Sequence, residues 1–72
     1  MKIINVERIL DFLKLNGYSK KKFCDLSGVS IYYFNKVLND DVLNLGINGL
    51  FKIAKAMDVD IVEILRKEES MD

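Results

Sequence analysis

Apolar residues recur at helical spacing along most of this chain. Val6, Ile9, Leu10 and Leu13 fall at i, i+3, i+4 and i+7, the stripe of an amphipathic helix. That predicts a first helix from Val6 to about Leu15, capped by Asn5 and stopped by Asn16-Gly17. A second is predicted from Lys20 to about Ser27, with Phe23, Leu26 and Ser27 sharing a face. A third runs from Ile31 to about Asn39, with Phe34, Val37 and Leu38 inward. After a loop at about 40–45, a fourth runs from Ile47 to Met57 behind a Gly46 cap. Its inward residues are Leu50, Ile53 or Phe51, Ala54 and Met57. A fifth, capped by Asp60, runs from Ile61 to about Lys67 with Ile64 and Leu65 inward. No segment alternates long enough for a strand, and proline is absent. The expected class is all-α, a compact five-helix domain around one core.

The helix starts agree with one another. A hydrophobic staple pairs the residue before a cap with the fourth helical residue. Ile4–Ile9, Tyr18–Phe23, Val29–Phe34, Leu45–Leu50 and Val59–Ile64 all fit. Asp60 and Glu63 suggest a variant of the capping box. Ser19 and Ser30 can each accept a bond from a free backbone N–H at the start of helices 2 and 3. Between those helices Gly28 can turn the chain through a left-handed conformation at little cost. So short a connection makes the two helices cross rather than run antiparallel, the geometry of a helix-turn-helix.

Seventy-two residues make one domain, expected to span residues 1–67 with a short acidic tail at 68–72. With one Cys and no His, neither a disulfide framework nor a zinc site is expected, and no cofactor. The lone Cys suits a reducing cytoplasm. Nothing approaches the about 20 apolar residues of a membrane span. The acidic Glu7 and Asp11 make the first residues unlike a signal peptide. The net charge is zero, but residues 1–39 carry seven Lys/Arg against three Asp/Glu, and residues 40–72 four against eight. The half containing helices 2 and 3 is thus basic, a pointer to an anionic partner.

FCDLSGVS at 23–30 and YYFNKVLN at 32–39 resemble the helix-turn-helix of the phage-repressor superfamily, the Cro/CI or XRE family of DNA-binding domains. The resemblance continues into LFKIAKAMDVDIVEIL at 50–65, at the separation the family shows. It implies a sequence-specific regulator of transcription, a repressor by preference, that binds double-stranded DNA with its third helix in the major groove. By that resemblance the base-contacting positions are Ile31, Tyr32, Asn35 and Lys36. The phosphate-contacting positions are Ser19, Lys20, Lys21, Tyr33 and Asn39. Ile31 and Tyr32 stand where the family usually carries polar residues, which points to apolar contacts with thymine methyls or to a protein-binding surface. The second possibility is an interaction module on the same fold, such as an antitoxin or anti-repressor partner.

The residues support the same assignments on chemical grounds. Stepping about 100° per residue places Tyr32 and Lys36 opposite the apolar stripe of helix 3, with Asn35 flanking. Asn can pair with adenine, and Lys can reach guanine acceptors. Lys20, Lys21 and Lys22 crowd the first turn of helix 2. There they oppose the helix dipole, yet there phosphate is favoured. Cys24 holds a small-residue position and is expected to be a buried thiol. Asp40 and Asp41 stand where two acids should weaken contact with a phosphate backbone. Nothing resembles a catalytic constellation, so an enzyme is not expected. The last helix leaves Val62 outward, which suggests a weak homodimer with Val62 and Leu65 at its rim.

Overall fold

A computed structural model describes residues 3–41 and 45–65. Four α-helices, α1 (Val6–Asn16), α2 (Lys20–Ser27), α3 (Ile31–Leu38) and α4 (Ile47–Ala56), are followed by one 3-10 turn at Ile61–Ile64. The fold is all-α. Among the described residues no strand forms, only one antiparallel bridge between Ile4 and Leu65. No helix there is long and apolar enough to cross a membrane.

The caps act as the side chains dictate. Asn5 Oδ1 accepts from the Arg8 amide at 3.2 Å, Ser19 Oγ from Lys22 at 3.0 Å, and Ser30 Oγ from Tyr33 at 3.0 Å. Gly46 caps α4 without a side-chain bond. Left-handed residues end the helices. Gly17 and Gly28 have φ of 66° and 83°, but Asp40 and Asp58 do the same work at 58° and 60°. At the end of α3 the Asp40 amide donates to Val37 O and the Asp41 amide to Lys36 O, each at 2.9 Å. That is the Schellman pattern. A non-glycine residue resists this conformation, and Asp40 offsets the resistance through its carboxylate. Its oxygens accept from the Ile3 amide at 2.8 and 3.1 Å and from Ile4 at 3.0 Å. The segment before α1 is thereby tied to the end of α3.

All ten staple residues belong to one hydrophobic core, with Ile4, Ile9, Phe23, Phe34, Leu50 and Ile64 fully within it and their partners against it. Tyr18, Phe12, Phe23 and Phe34 form a chain of ring contacts, with centroids 6.0, 5.8 and 5.5 Å apart, that links α1, α2 and α3. Edge-on and tilted rings at such separations attract beyond their buried area. No described polar side chain is buried.

Four expectations are corrected. Leu10 and Leu26 face solvent, 40% and 53% exposed. In α1 the ring of Phe12 turns inward instead, and in α2 the buried pair is Phe23 and Cys24. In α4 the choice left open between Ile53 and Phe51 falls to Ile53, which is buried while Phe51 is exposed. The fifth element is not an α-helix: it ends at Ile64, and Leu65 continues extended to meet Ile4. Its expected continuation to Lys67, like the acidic tail at 68–72, lies outside the described residues. Finally, Asp60 caps the turn through Val62 N at 3.2 Å, but Glu63 forms no reciprocal box. Its carboxylate pairs with Arg8 on α1 at 3.4 Å.

Candidate nucleic-acid interface

The surface of α3 follows from what the core takes. Phe34 and Val37 are fully buried, which fixes the rotation of this short helix. Ile31 and Tyr32 are then left 48% and 69% exposed, with Asn35 and Asn39 also exposed. Lys36 lies one turn beyond Tyr32, its Nζ 5.4 Å from the centre of that ring. The four residues expected to read bases therefore occupy one continuous stripe.

Gly28 joins this helix to α2. Its φ of 83° is the left-handed region that glycine enters without a Cβ clash, and its amide donates to Cys24 O at 2.9 Å. Two residues later Ser30 caps α3. Cys24 is buried beside this turn. Burial, then the charge of Asp25, pushes its thiol pKa up against a smaller opposing effect of Lys21, so it lacks the thiolate character of a reactive cysteine.

The first turn of α2 presents Lys20, Lys21 and Lys22, all exposed. The Ser19 hydroxyl takes the Lys22 amide, and the amides of Lys20 and Lys21 have no partner among the described residues. Free N–H groups and three exposed lysines thus share the first turn of α2, and free N–H groups at a helix start attract phosphate oxygens. Lys21 reaches Asp25 at 3.9 Å, with both side chains largely in water, and so exposed a pair restrains the lysine little.

Three features were not legible in the sequence. Tyr33, expected at phosphate, donates its hydroxyl hydrogen bond to Gly46 O and covers Gly49 so closely that no Cβ fits there. It ties α3 to the start of α4, and burial raises its pKa. Asp40, expected as a free acid, is the clamp on Ile3 and Ile4. Asp41 reaches back to Lys36, Oδ2 to Nζ 3.2 Å. That hydrogen bond and charge, with a smaller contribution from Tyr32, raise the Lys36 pKa. A carboxylate five residues beyond a lysine meets it only because Asp40 bends the chain back.

Compared with protein-family models, curated proteins and solved structures, the chain matches none. No described group of three or more His, Cys, Asp or Glu residues could hold a metal ion. A depression of about 500 Å3, lined by residues such as Arg8, Asp11, Phe12 and Met57, includes no residue of α2 or α3.

Proposed function

We propose that this chain is a sequence-specific double-stranded DNA-binding regulator of transcription, acting as a repressor, in which α2, the Gly28 turn and α3 serve as a phage-repressor-like helix-turn-helix. The observation that carries this reading is the α3 surface of exposed Ile31, Tyr32 and Asn35 with half-buried Lys36, joined through the Gly28 turn to a helix whose first turn carries three exposed lysines. A helix of this width enters the major groove, where Asn35 can bond adenine, Lys36 guanine, and Ile31 and Tyr32 can cover thymine methyls. Ser19, Lys20, Lys21 and Asn39 are the phosphate contacts in this reading. Tyr33 is the weakest of the assigned contacts, because its hydroxyl proton is already engaged.

Phosphate contacts set affinity and base contacts set preference. Lys20→Ala should weaken binding to all duplexes alike and flatten the salt dependence by about one unit. Asn35→Ala should cost about 1–3 kcal/mol on the preferred duplex and relax one base pair. Titration of both variants on a duplex selected from random sequence, and on its scrambled version, checks this. An equal loss on both duplexes for Asn35→Ala would remove α3 from base readout.

One observation favours a second reading. The α3 stripe is half apolar, and its lysine is neutralised by Asp41. A protein-interaction module of antitoxin or anti-repressor type would present such a face. Its binding would change little with salt, whereas DNA binding falls steeply.

A further inference from the structure

We infer that Asp41 is a specificity-determining residue: it holds Lys36 against the Tyr32 face and away from phosphates, so that the α3 stripe does not bind duplex DNA irrespective of sequence. This rests on the DNA-binding reading above. The geometry is built rather than incidental. Asp41 N–H donates to the carbonyl of Lys36 at 2.9 Å, while its carboxylate meets the ammonium of the same residue at 3.2 Å. Asp40, fixed by two amides of the opposite end of the chain, sets the direction of that return. Lys36 is thus gripped from two sides, by Asp41 and by the Tyr32 ring at 5.4 Å. Its side chain is 31% exposed, against 85% for Lys21.

The functional consequence follows from how charge enters DNA recognition. A loose lysine neutralises whatever phosphate is nearest and raises affinity for every sequence. A lysine held in one place by a carboxylate gains little from a passing phosphate, because the exchange leaves Asp41 unpaired close to the backbone. It gains when a base edge meets both groups. A guanine acceptor can face the ammonium while a cytosine amino group donates to the carboxylate. The pair therefore suits a G·C base pair, and it suppresses the electrostatic background that other sequences share.

The test is a double-mutant cycle on the whole chain. Asp41→Asn is nearly isosteric, and its backbone bond to Lys36 survives, so the melting curve should stay close to that of the unaltered protein. On random-sequence duplex, Asp41→Asn should bind at least about threefold tighter, with a salt slope steeper by about one unit. The ratio of preferred to random affinity should fall. In a Lys36→Ala background the same substitution should lose most of that gain, since no cation remains to be released. If the gain persists without Lys36, Asp41 acts only as a distant charge and the inference is overturned. If the unaltered chain binds duplex but Asp41→Asn changes neither affinity nor salt slope, the inference alone fails. If neither protein binds any duplex at low salt, the DNA-binding reading falls and the inference with it.

Discussion

Gly49 is the residue whose replacement gives the sharpest test of how α3 is attached to the rest of the molecule. It lies in the first turn of α4, where alanine should be the better helix former by about 0.5–1 kcal/mol. The structure predicts the opposite sign. A Cβ at Gly49 would clash with Cζ and Cε1 of Tyr33 and lie 2.6 Å from its hydroxyl oxygen, and that end of the side chain is anchored by its hydroxyl on Gly46 O. Forcing it aside adds an overpacking penalty of about 1–3 kcal/mol. It also breaks a hydrogen bond with a net value of about 0.5–1.5 kcal/mol. After subtracting the propensity gain, Gly49→Ala should destabilise by about 0.5–4 kcal/mol. In a chain of this size that lowers the melting temperature by at least about 2 °C. The decisive arm is the same substitution in a Tyr33→Ala background. There the obstacle is gone, and Gly49→Ala should stabilise by up to about 1 kcal/mol. Thermal and urea melts followed by circular dichroism measure both arms. A stabilising effect in the otherwise unaltered protein would mean that Tyr33 does not hold its place over Gly49. The attachment of α3 to α4 described here would then be wrong.

Asp40→Ala should destabilise by about 2–3 kcal/mol, because it strips the acceptor from the Ile3 and Ile4 amides and keeps a Cβ at positive φ. Asp40→Gly should lose less, since it relieves the backbone, and chemical denaturation should rank the two in that order. Gly28→Val should destabilise by about 1 kcal/mol or more, since a β-branched side chain resists φ near 83°; an unchanged melting curve would refute the turn. We also expect a weak homodimer through the 3-10 turn at Ile61–Ile64. Val62 is 55% exposed there, and Leu65 lies half-buried beside the Ile4 bridge. Sedimentation showing only monomer at high concentration, with and without DNA, would dismiss it.

What could be read in advance was whatever depends on neighbours in sequence. Ser19 and Ser30 before apolar runs, and Gly17 and Gly28 after them, marked helix ends because the capping chemistry is local. The inward face of α3 was legible from the spacing of Phe34 and Val37, and that of α4 from Leu50, Ala54 and Met57, with the choice between Ile53 and Phe51 left to tertiary packing. In α2 the burial of Phe23 and of the Cys24 thiol was legible, but the exposure of Leu26 was not. Eight residues allow two stripes, and contact between Phe23 and the rings of Phe12 and Phe34 decided for the one that buries Cys24 and exposes Leu26. The same tertiary effect turned Phe12 inward and Leu10 outward. The two helix ends carried by aspartate were hidden for another reason. Glycine announces positive φ, whereas Asp40 adopts it only because amides distant in sequence reward the carboxylate. Missing that, the pairing of Asp41 with Lys36 could not be anticipated. At the fifth element the Asp60 cap is legible in the sequence, but the turn's end at Ile64 is not, because it is set by the bridge of Leu65 to the distant Ile4.

The bridge between Ile4 and Leu65 also bears on the order of events during folding. Ile4 is fully buried at that bridge, and the Asn5 amide finds its acceptor on Ile64 at 2.8 Å. Joining Ile4 to Leu65 closes a loop of 61 residues (65 less 4), whereas joining Ile4 to Asp40 closes one of 36. The longer closure costs about 0.5 kcal/mol more in chain entropy. The aspartate clamp is therefore the easier of the two to form first, and it can park the segment before α1 against the end of α3 until Ile64 and Leu65 meet it.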